Sequence, residues 1–420
     1  MTLDLSSHPA DGQPWRDVQR YWRGLTAATA DRQPPVAVIG LAALRHNAQS
    51  MLQRAGGTPI RVASKSIRVR AVQDAVLALP GYAGILAYTL PEALWLAARR
   101  PDEVPDIVVG YPTADPDAIR ALAADERAAA GITLMVDSTA HLDLIDAAIA
   151  PDARPSIRVA IELDAAFTAP GLGRLGVWRS PIATADEARA LAEEIARRPG
   201  FALVGMMAYE SQIAGVGNRP RGGLPGRLVT GRVIDWMQRH SATELAERRG
   251  AAVAAVRAVA PLEFVNGGGT GSLESTSADP SVTEIAAGSG LFGGHLFDTY
   301  SHFTPAPAAA FALPVVRKPR RDMATLLGGG WVASGPPAPD RLPEVVWPRG
   351  TRMQAREMAG EVQTPLSGRT AAALAVGDRV WLRHTKSGEL AEHVNGFVVI
   401  DDGEMVDEVP SYRGEGQAFL

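Results

Sequence analysis

Short apolar runs alternate with longer amphipathic stretches between residue 36 and about residue 300. Two of the amphipathic stretches, Ser138–Ala150 and Thr184–Arg198, predict helices with Ser138 and Thr184 as N-caps. Repeated alternation of strand and helix predicts a parallel sheet, and about eight units over ~250 residues favour a closed (β/α)8 barrel over an open sheet. The apolar runs predict strands at Val36–Ile39, Arg61–Ala63, Gly84–Ala87, Asp106–Val109, Thr133–Val136, Ser156–Glu162, Ala202–Met207 and Leu262–Val265.

The pattern changes after about residue 300, where prolines interrupt the chain and the apolar runs become shorter. Asp402-Gly403 is a hairpin-turn signal. The expected fold class is therefore α/β, a (β/α)8 TIM barrel over residues 36–299 with a C-terminal β-rich second domain over residues 300–420. Residues 1–35 form an N-terminal extension that is able to pack on the β domain. Strands of the second domain are predicted at Met323–Val332, Glu344–Trp347, Asp378–Leu382 and Gly396–Ile400.

Composition narrows the function classes. The 420 residues are 46% hydrophobic and 21% charged, with a net charge of −4 and no cysteine. Disulfides, thiolate catalysis and cysteine-bound metals are excluded. The absence of a basic excess argues against nucleic-acid binding. The absence of a long apolar run argues against a membrane-spanning helix. Residues 1–13 are polar and do not resemble a signal peptide, so a cytoplasmic location is expected.

Lys65 is the first candidate for chemistry. The run Ile60–Arg68 ends a β-branched stretch on a lysine among small polar residues. The C-terminal ends of barrel strands are where active sites lie, and a lysine amine there can form a Schiff base with a carbonyl compound. Arg61, Arg68 and Arg70 would lower the pKa of a lysine that they face. A solvated surface lysine is the alternative.

A glycine-rich run, Gly171–Gly176, follows the sixth predicted strand. It matches the dinucleotide-binding pattern G-x-G-x-x-G. The next residues, Val177–Pro181, cannot open the helix that a pyrophosphate would need. We therefore interpret Arg174 as a cation that reaches a ligand, with a flexible turn and a surface arginine as the alternative.

A second glycine-rich run, Asn266–Ser272, follows the last predicted barrel strand. Successive glycine N–H groups with Thr and Ser hydroxyls can cradle a phosphate, and barrels often bind phosphate late in the chain. No Gly-Lys-Ser/Thr follows, so the run is not a P-loop; a plain flexible loop is the alternative. The early lysine, the mid-chain arginine and the late phosphate nest together suit pyridoxal phosphate.

These motifs and others occur in an order that resembles a known family. The segments Ile39–Asn47, Lys65 with its strand, and Gly173–Gly176 resemble the N-terminal domain of alanine racemases, which are fold-type III pyridoxal phosphate (PLP) enzymes. Gly268–Gly271, Thr283–Ile285 and Phe297–Tyr300 are more similar to the D-threonine aldolase and D-serine dehydratase branch, often described as amino acid deaminase/aldolase. The similarity covers nearly the whole chain.

The resemblance implies a set of site residues and a homodimer. Lys65 would hold PLP as a Schiff base, and Arg174 would face its pyridine nitrogen. Gly269, Thr270 and Gly271 would bind the phosphate, and Tyr209 would line the cofactor pocket. Asp298 and Tyr300 would lie where the second domain meets the site. The alternative interpretation of the two tyrosines is that they are core aromatic residues with satisfied hydroxyls.

One departure from the family concerns a metal. Aldolases and dehydratases of this branch bind a divalent metal through His-x-Cys or His-x-Asp in the β domain. In this sequence Lys386 stands where the histidine would be and Gly388 where its partner would be, so a divalent metal is doubtful. We expect the Lys386 ammonium to replace the cation near the substrate's β-hydroxyl. The alternatives are an exposed Lys386, or a different metal site built from His384, Glu389 and His393.

The resemblance implies a PLP-dependent lyase acting on a β-hydroxy α-amino acid, by aldol-type cleavage or by dehydration and deamination. His384 is the candidate base for the β-hydroxyl, because the ordinary pKa of histidine lies near neutrality. A racemase or epimerase is the alternative, with Tyr300 as a second acid/base opposite Lys65. The non-enzyme alternative is a PLP carrier, but such proteins are usually shorter and consist of the barrel alone.

Overall fold

The computed structural model describes residues 3–7, 12–99, 101–169, 171, 173–221, 223–335, 338–386 and 388–420. Pro170, which precedes the first glycine-rich run, and Leu172 within it lie outside these residues. The strands are β1 Val36–Gly40, β2 Ile60–Ala63, β3 Tyr82–Ala87, β4 Ile107–Val109, β5 Ile132–Val136, β6 Ile157–Glu162, β7 Phe167–Ala169, β8 Gly173–Leu175, β9 Phe201–Ala208, β10 Phe264–Gly267, β11 Glu284–Ala287, β12 Ala309–Arg317, β13 Met323–Leu327, β14 Glu344–Trp347, β15 Thr351–Met353, β16 Gln363–Gly368, β17 Arg379–Arg383, β18 Gly396–Asp401 and β19 Glu404–Pro410.

The helices fall mainly in the barrel part of the chain. Ser138 and Thr184 cap α7 and α8 as predicted, each accepting a hydrogen bond from a backbone N–H of the first turn. No described helix is long and apolar enough to cross a membrane. The α-helices are α1 Val18–Ala28, α2 Leu41–Arg54, α3 Arg70–Leu77, α4 Leu90–Ala97, α5 Pro116–Ala124, α6 Glu126–Gly131, α7 Thr139–Ala148, α8 Ala185–Arg197, α9 Ser211–Ala214, α10 Leu224–Arg257, α11 Leu273–Ser277 and α12 Ser289–Phe292.

The chain forms two compact units, and the one made of residues 51–65, 80–287 and 419–420 contains the barrel. Eight parallel strands close in the order β10-β11-β2-β3-β4-β5-β6-β9, which confirms the predicted (β/α)8 barrel. The strand before Lys65, β2, is the first barrel strand in the chain. The eighth strand is β11, which the hydrophobic pattern did not identify. Its sequence Glu-Ile-Ala-Ala is short and made mostly of small residues, so it lacks the β-branched signature of the other strands.

The barrel interior is a packed apolar core. Val108, Met135, Ala160 and Phe264 belong to one cluster of buried apolar residues there. Gly205 of β9 lies opposite Phe264 of β10, and a Cβ atom at Gly205 would lie 2.3 Å from the Phe264 ring. The ring therefore covers the strand at a position that only glycine can occupy without displacement.

The other compact unit consists of residues 1–50, 66–79 and 288–418. Its sheet has nine strands, with the path β15-β16-β13-β12-β1-β18-β19 and with β14 and β17 beside it. The expectation that Val36–Ile39 is a barrel strand is wrong, because β1 pairs antiparallel with β12 and parallel with β18. All five residues of β1 are buried, which accounts for its resemblance to a barrel strand in hydropathy.

The predicted C-terminal β-rich domain is confirmed. The hairpin between β18 and β19 turns at Asp402 and Gly403, with φ angles of 47° and 83°, as the Asp-Gly signal predicts. The core of this sheet includes Trp22, Val38 and Trp381. The predicted limits of the three segments remain predictions.

Candidate active site

Polar side chains gather at one end of the barrel. Because the eight strands are parallel, their C-terminal ends all lie at this end. Lys65 lies in the turn after β2 and Tyr111 lies two residues after β4. Glu162 is the last residue of β6, and Tyr209 follows β9 directly. Four different strands therefore bring an amine, two phenols and a carboxylate to this end.

Lys65 contacts Tyr111. The Nζ atom of Lys65 donates a hydrogen bond of 2.9 Å to the Oη atom of Tyr111, and it lies 5.4 Å from the centre of that ring. Ser64, next to the lysine, donates to the Leu86 carbonyl over 3.1 Å and holds the turn against β3. The predicted position of Lys65 at a barrel strand end is thus what the structure has.

The three arginines near Lys65 in sequence each bind carboxylates of their own. Arg61 is 4% exposed and pairs with Glu284 and Asp106 at 2.7 and 2.6 Å between nitrogen and oxygen. The other two pairs are Arg68 with Glu392 and Arg70 with Glu415. Their charges are therefore largely balanced where they lie.

Arg179 is the cation that sequence reasoning missed. Its Nε atom lies 2.5 Å from Glu162 Oε1, and its Nη2 atom donates to the Gly110 carbonyl over 2.8 Å. The guanidinium lies 4.8 Å from the centre of the Tyr111 ring and 5.4 Å from that of Tyr209. Arg179 belongs to the segment that had been used only to reject a dinucleotide site.

Burial and charge shift the pKa values of this group. Burial raises the pKa of Glu162 to about 7, although the Arg179 cation opposes the shift. Burial also raises the pKa of Tyr209 to about 12. Burial acts in the same direction on Tyr111, but the positive charges of Lys65 and Arg179 outweigh it and the pKa of Tyr111 is lowered.

The second glycine-rich run forms a tight turn after β10, and a buried ionic network hydrogen-bonds to its backbone. Gly268 has a φ of 78°, and its N–H donates to Glu210 Oε2 over 3.0 Å. Arg249 joins Glu210 and Asp279 at 3.1 and 2.9 Å. The N–H of Gly269 donates to Ser272 Oγ. Thr270 and Ser272 are 3% and 1% exposed.

Arg174 lies on the hairpin formed by β7 and β8. It makes a bidentate pair with Asp164, with distances of 2.7 and 3.0 Å, and its guanidinium lies 4.1 Å from the centre of the Trp178 ring. Trp178 is 84% exposed. The role implied for Arg174 at a pyridine nitrogen remains a prediction.

Four predicted site residues lie in the unit that contains the nine-stranded sheet. Asp298 makes a bidentate pair with Arg383, at 2.7 and 3.1 Å. Tyr300 is 1% exposed and its ring lies among aromatic neighbours, including Phe303 at 5.0 Å between ring centres. The roles implied for both residues remain predictions.

His384 and Lys386 follow β17. His384 is 1% exposed, and within the described part of the chain neither of its ring nitrogens has a hydrogen-bond partner. Burial lowers the pKa of His384 to about 4, with the Glu389 charge opposing the shift. The backbone N–H of Lys386 donates to Glu389 Oε1 over 3.0 Å. Among the described residues, no three His, Asp or Glu side chains come together as a metal site.

Comparison with known families identifies the family to which this barrel belongs. Residues 39–295 match the family described as alanine racemase, N-terminal domain. The chain belongs to the alanine racemase N-terminal domain family. The resemblance inferred from the sequence is thereby confirmed.

Among relatives of this alanine racemase-like chain, the 3-hydroxy-D-aspartate aldolase of Paracoccus denitrificans is 29% identical over 266 residues. The alignment covers 62% of this chain and 60% of the relative, so it spans less than two thirds of that protein. D-threonine aldolase from Filomicrobium marinum has a similar structure, with a TM-score of 0.74, 18% identity, and coverage of 93% of this chain and 97% of the other.

D-threo-3-hydroxyaspartate dehydratase from Delftia sp. HT23 is also similar in structure. The TM-score is 0.65 at 21% identity, and the alignment covers 90% of this chain and 97% of the other. At these identities the two structural likenesses establish the fold of the alanine racemase-like chain.

The barrel end of this alanine racemase-like chain fits a phosphorylated aldehyde such as PLP. A Cβ atom at Gly268 would lie 2.7 Å from Ile285, and one at Gly269 would lie 2.9 Å from the Ala214 Cβ and 3.4 Å from the Tyr209 ring. Side chains are therefore excluded at both glycines, which leaves the backbone of the turn as the candidate contact for a phosphate. The Lys65 amine follows β2 of the same barrel, and the Arg179 cation is paired with Glu162 at the end of β6, so an amine for the aldehyde and a cation beside the ring are both present.

Proposed function

We propose that this chain is a PLP-dependent lyase that acts on a D-configured β-hydroxy α-amino acid. The observation that carries the proposal is the Lys65 amine at the end of β2, hydrogen-bonded to Tyr111 over 2.9 Å. The family supports PLP as the cofactor. The two aldolases and the dehydratase among the relatives are each named for an amino acid with a hydroxyl group at the β-carbon and the D configuration.

Different residues would bind different parts of PLP. Lys65 would hold the aldehyde carbon of PLP, and the turn Gly269–Gly271 would hold the phosphate. Tyr209 and Arg179 would lie against the ring. PLP supplies an electron sink for charge that develops at the α-carbon, while the protein supplies orientation and proton transfer.

Proton transfer requires an amine that is not permanently charged. Lys65 would take and return protons at the α-carbon, with the Tyr111 phenol at its Nζ atom. His384 stays a candidate base for the β-hydroxyl. Lys386 stays a candidate for the positive charge near that hydroxyl.

The test is incubation of the purified chain and PLP with D-threonine, D-serine and D-3-hydroxyaspartate, with the L enantiomers as controls. Glycine and an aldehyde in equal amounts would indicate an aldolase. Ammonia and a keto acid would indicate a dehydratase. K65A supplies the control, because it removes the amine that would hold PLP.

Two results would contradict the proposal. Exchange of the α-proton in D₂O without aldehyde or ammonia would indicate the racemase alternative. Binding of PLP with no turnover of any of these substrates would indicate a carrier.

Activity lost on exhaustive chelation and restored by Mn²⁺ or Zn²⁺ would contradict the role of Lys386. Light scattering tests the predicted homodimer.

A further inference from the structure

We propose that Tyr111 is a further catalytic residue, whose phenol exchanges a proton with the Nζ atom of Lys65. The two atoms are 2.9 Å apart, within the range for direct proton transfer. No motif pointed to Tyr111 in the sequence, since it stands alone after the β4 strand. The inference rests on the proposed lyase function only for the step that the proton exchange serves.

The position of Tyr111 is fixed from several sides. The Arg179 guanidinium lies 4.8 Å from the centre of its ring, and the same guanidinium donates to the carbonyl of the preceding residue, Gly110. Glu162 in turn holds Arg179 by an ion pair of 2.5 Å. Yet Tyr111 remains 37% exposed. The phenol is thus oriented by the barrel and still accessible to a ligand.

The charges around the phenol favour its ionised form. Those that act on it are Lys65 at the end of β2, Arg179 in the segment after β8, and Glu162 at the end of β6. Two are cations and one is a carboxylate. Burial raises the pKa of Tyr111, but the two cations outweigh burial and the carboxylate together, so that its pKa is lowered.

The exchange is balanced without any other reactant. The phenolate oxygen of Tyr111 takes one proton from the ammonium of Lys65, which leaves a neutral amine and a neutral phenol. The reverse transfer restores the ion pair. A neutral Lys65 amine is the form that can attack a carbonyl carbon or accept a proton from an α-carbon. Tyr111 would therefore make that form available without release of the proton to water.

The first experiment measures the phenol directly, by the near-ultraviolet absorbance of tyrosinate in the full-length chain as a function of pH. The chain has seven tyrosines, so the titration of wild type minus that of Y111F isolates Tyr111. We expect its midpoint below the ordinary tyrosine pKa of about 10. K65M and R179Q should each move it to higher pH, because each removes a cation.

Two matched variants serve as controls. R174Q also removes a guanidinium, but Arg174 is not among the charges that act on Tyr111, so the midpoint should not move. Y82F removes a tyrosine whose pKa is raised by burial, so its difference titration should lie at higher pH than that of Y111F. A Tyr111 midpoint at or above about 10, or one that K65M leaves in place, would overturn the proposal.

The second experiment uses the holoenzyme and its lyase reaction. We expect Y111F to lower kcat by about 100-fold, the lower end of the range for general acid–base catalysis, with KM little changed. The pH profile of kcat in the wild type should bend at the pH where Tyr111 titrates, and Y111F should lack that bend. A Y111F enzyme that keeps both kcat and the bend would refute the catalytic role. Absence of lyase activity in the wild type would count against the proposed function alone, since the tyrosinate titration does not depend on turnover.

Discussion

Replacement of His384 should remove a specific part of the pH dependence of stability. Burial lowers the pKa of His384 to about 4 from the ordinary value of 6.5. Between these values the unfolded chain binds a proton that the folded chain does not. The free energy of unfolding therefore falls as the pH falls through this window. The stability that the neutral His384 ring contributes is fully present above pH 6.5. Between pH 6.5 and about pH 5, a slope of ~1.4 kcal/mol per pH unit gives a loss of about 2 kcal/mol.

The assay compares wild type with H384Q and H384L by urea unfolding at about pH 7 and about pH 5, on either side of the ordinary histidine pKa. The loss of stability between the two pH values should be smaller in both variants than in the wild type. Other carboxylates also titrate in this range, but those that do not act on His384 contribute equally to wild type and variants and cancel in the comparison. An NMR titration of the histidine ring protons supplies a direct check, with the His384 signal identified by its absence from H384Q. A His384 signal that titrates near the ordinary value would refute the reasoning.

Two more substitutions test buried contacts in the unit that contains the barrel. R249M should lower the free energy of unfolding by about 3–5 kcal/mol, because it leaves the carboxylates of Glu210 and Asp279 buried without their cation. Urea unfolding measures the loss, and an equal effect of the surface substitution R320M would contradict it. G205A should cost about 1–3 kcal/mol, because the added methyl would lie 2.3 Å from the Phe264 ring. The double variant G205A/F264L should recover part of the loss in thermal unfolding, and no recovery would show that the ring is not the cause.

The barrel could be predicted from the sequence because its strands are local features. β2, β5 and β6 each appear as an apolar run within a residue or two of the observed limits. The partner of a strand is a different matter. β1 and β5 are both fully buried over five residues, and hydropathy alone does not distinguish a sheet strand paired with distant segments from a barrel strand.

The candidate site was predictable where a motif carries the chemistry. Motifs suggested Lys65 and the turn after Asn266, whose roles remain predictions. No motif suggested Arg179 or Tyr111, because their significance lies in contacts with Glu162 and Lys65 across the end of the barrel. Such contacts join residues from different strands, and no spacing along the chain encodes them.

The central place of β1 in its sheet has a consequence during protein synthesis. Its neighbours on either side are β12 and β18, so five buried residues made near the start must wait for residues 396–401, near the end. Until then the nascent segment has an unpaired, apolar edge of the kind that recruits other chains. A translation product that stops before β18 would carry that edge permanently, and we expect it to aggregate or to require a chaperone.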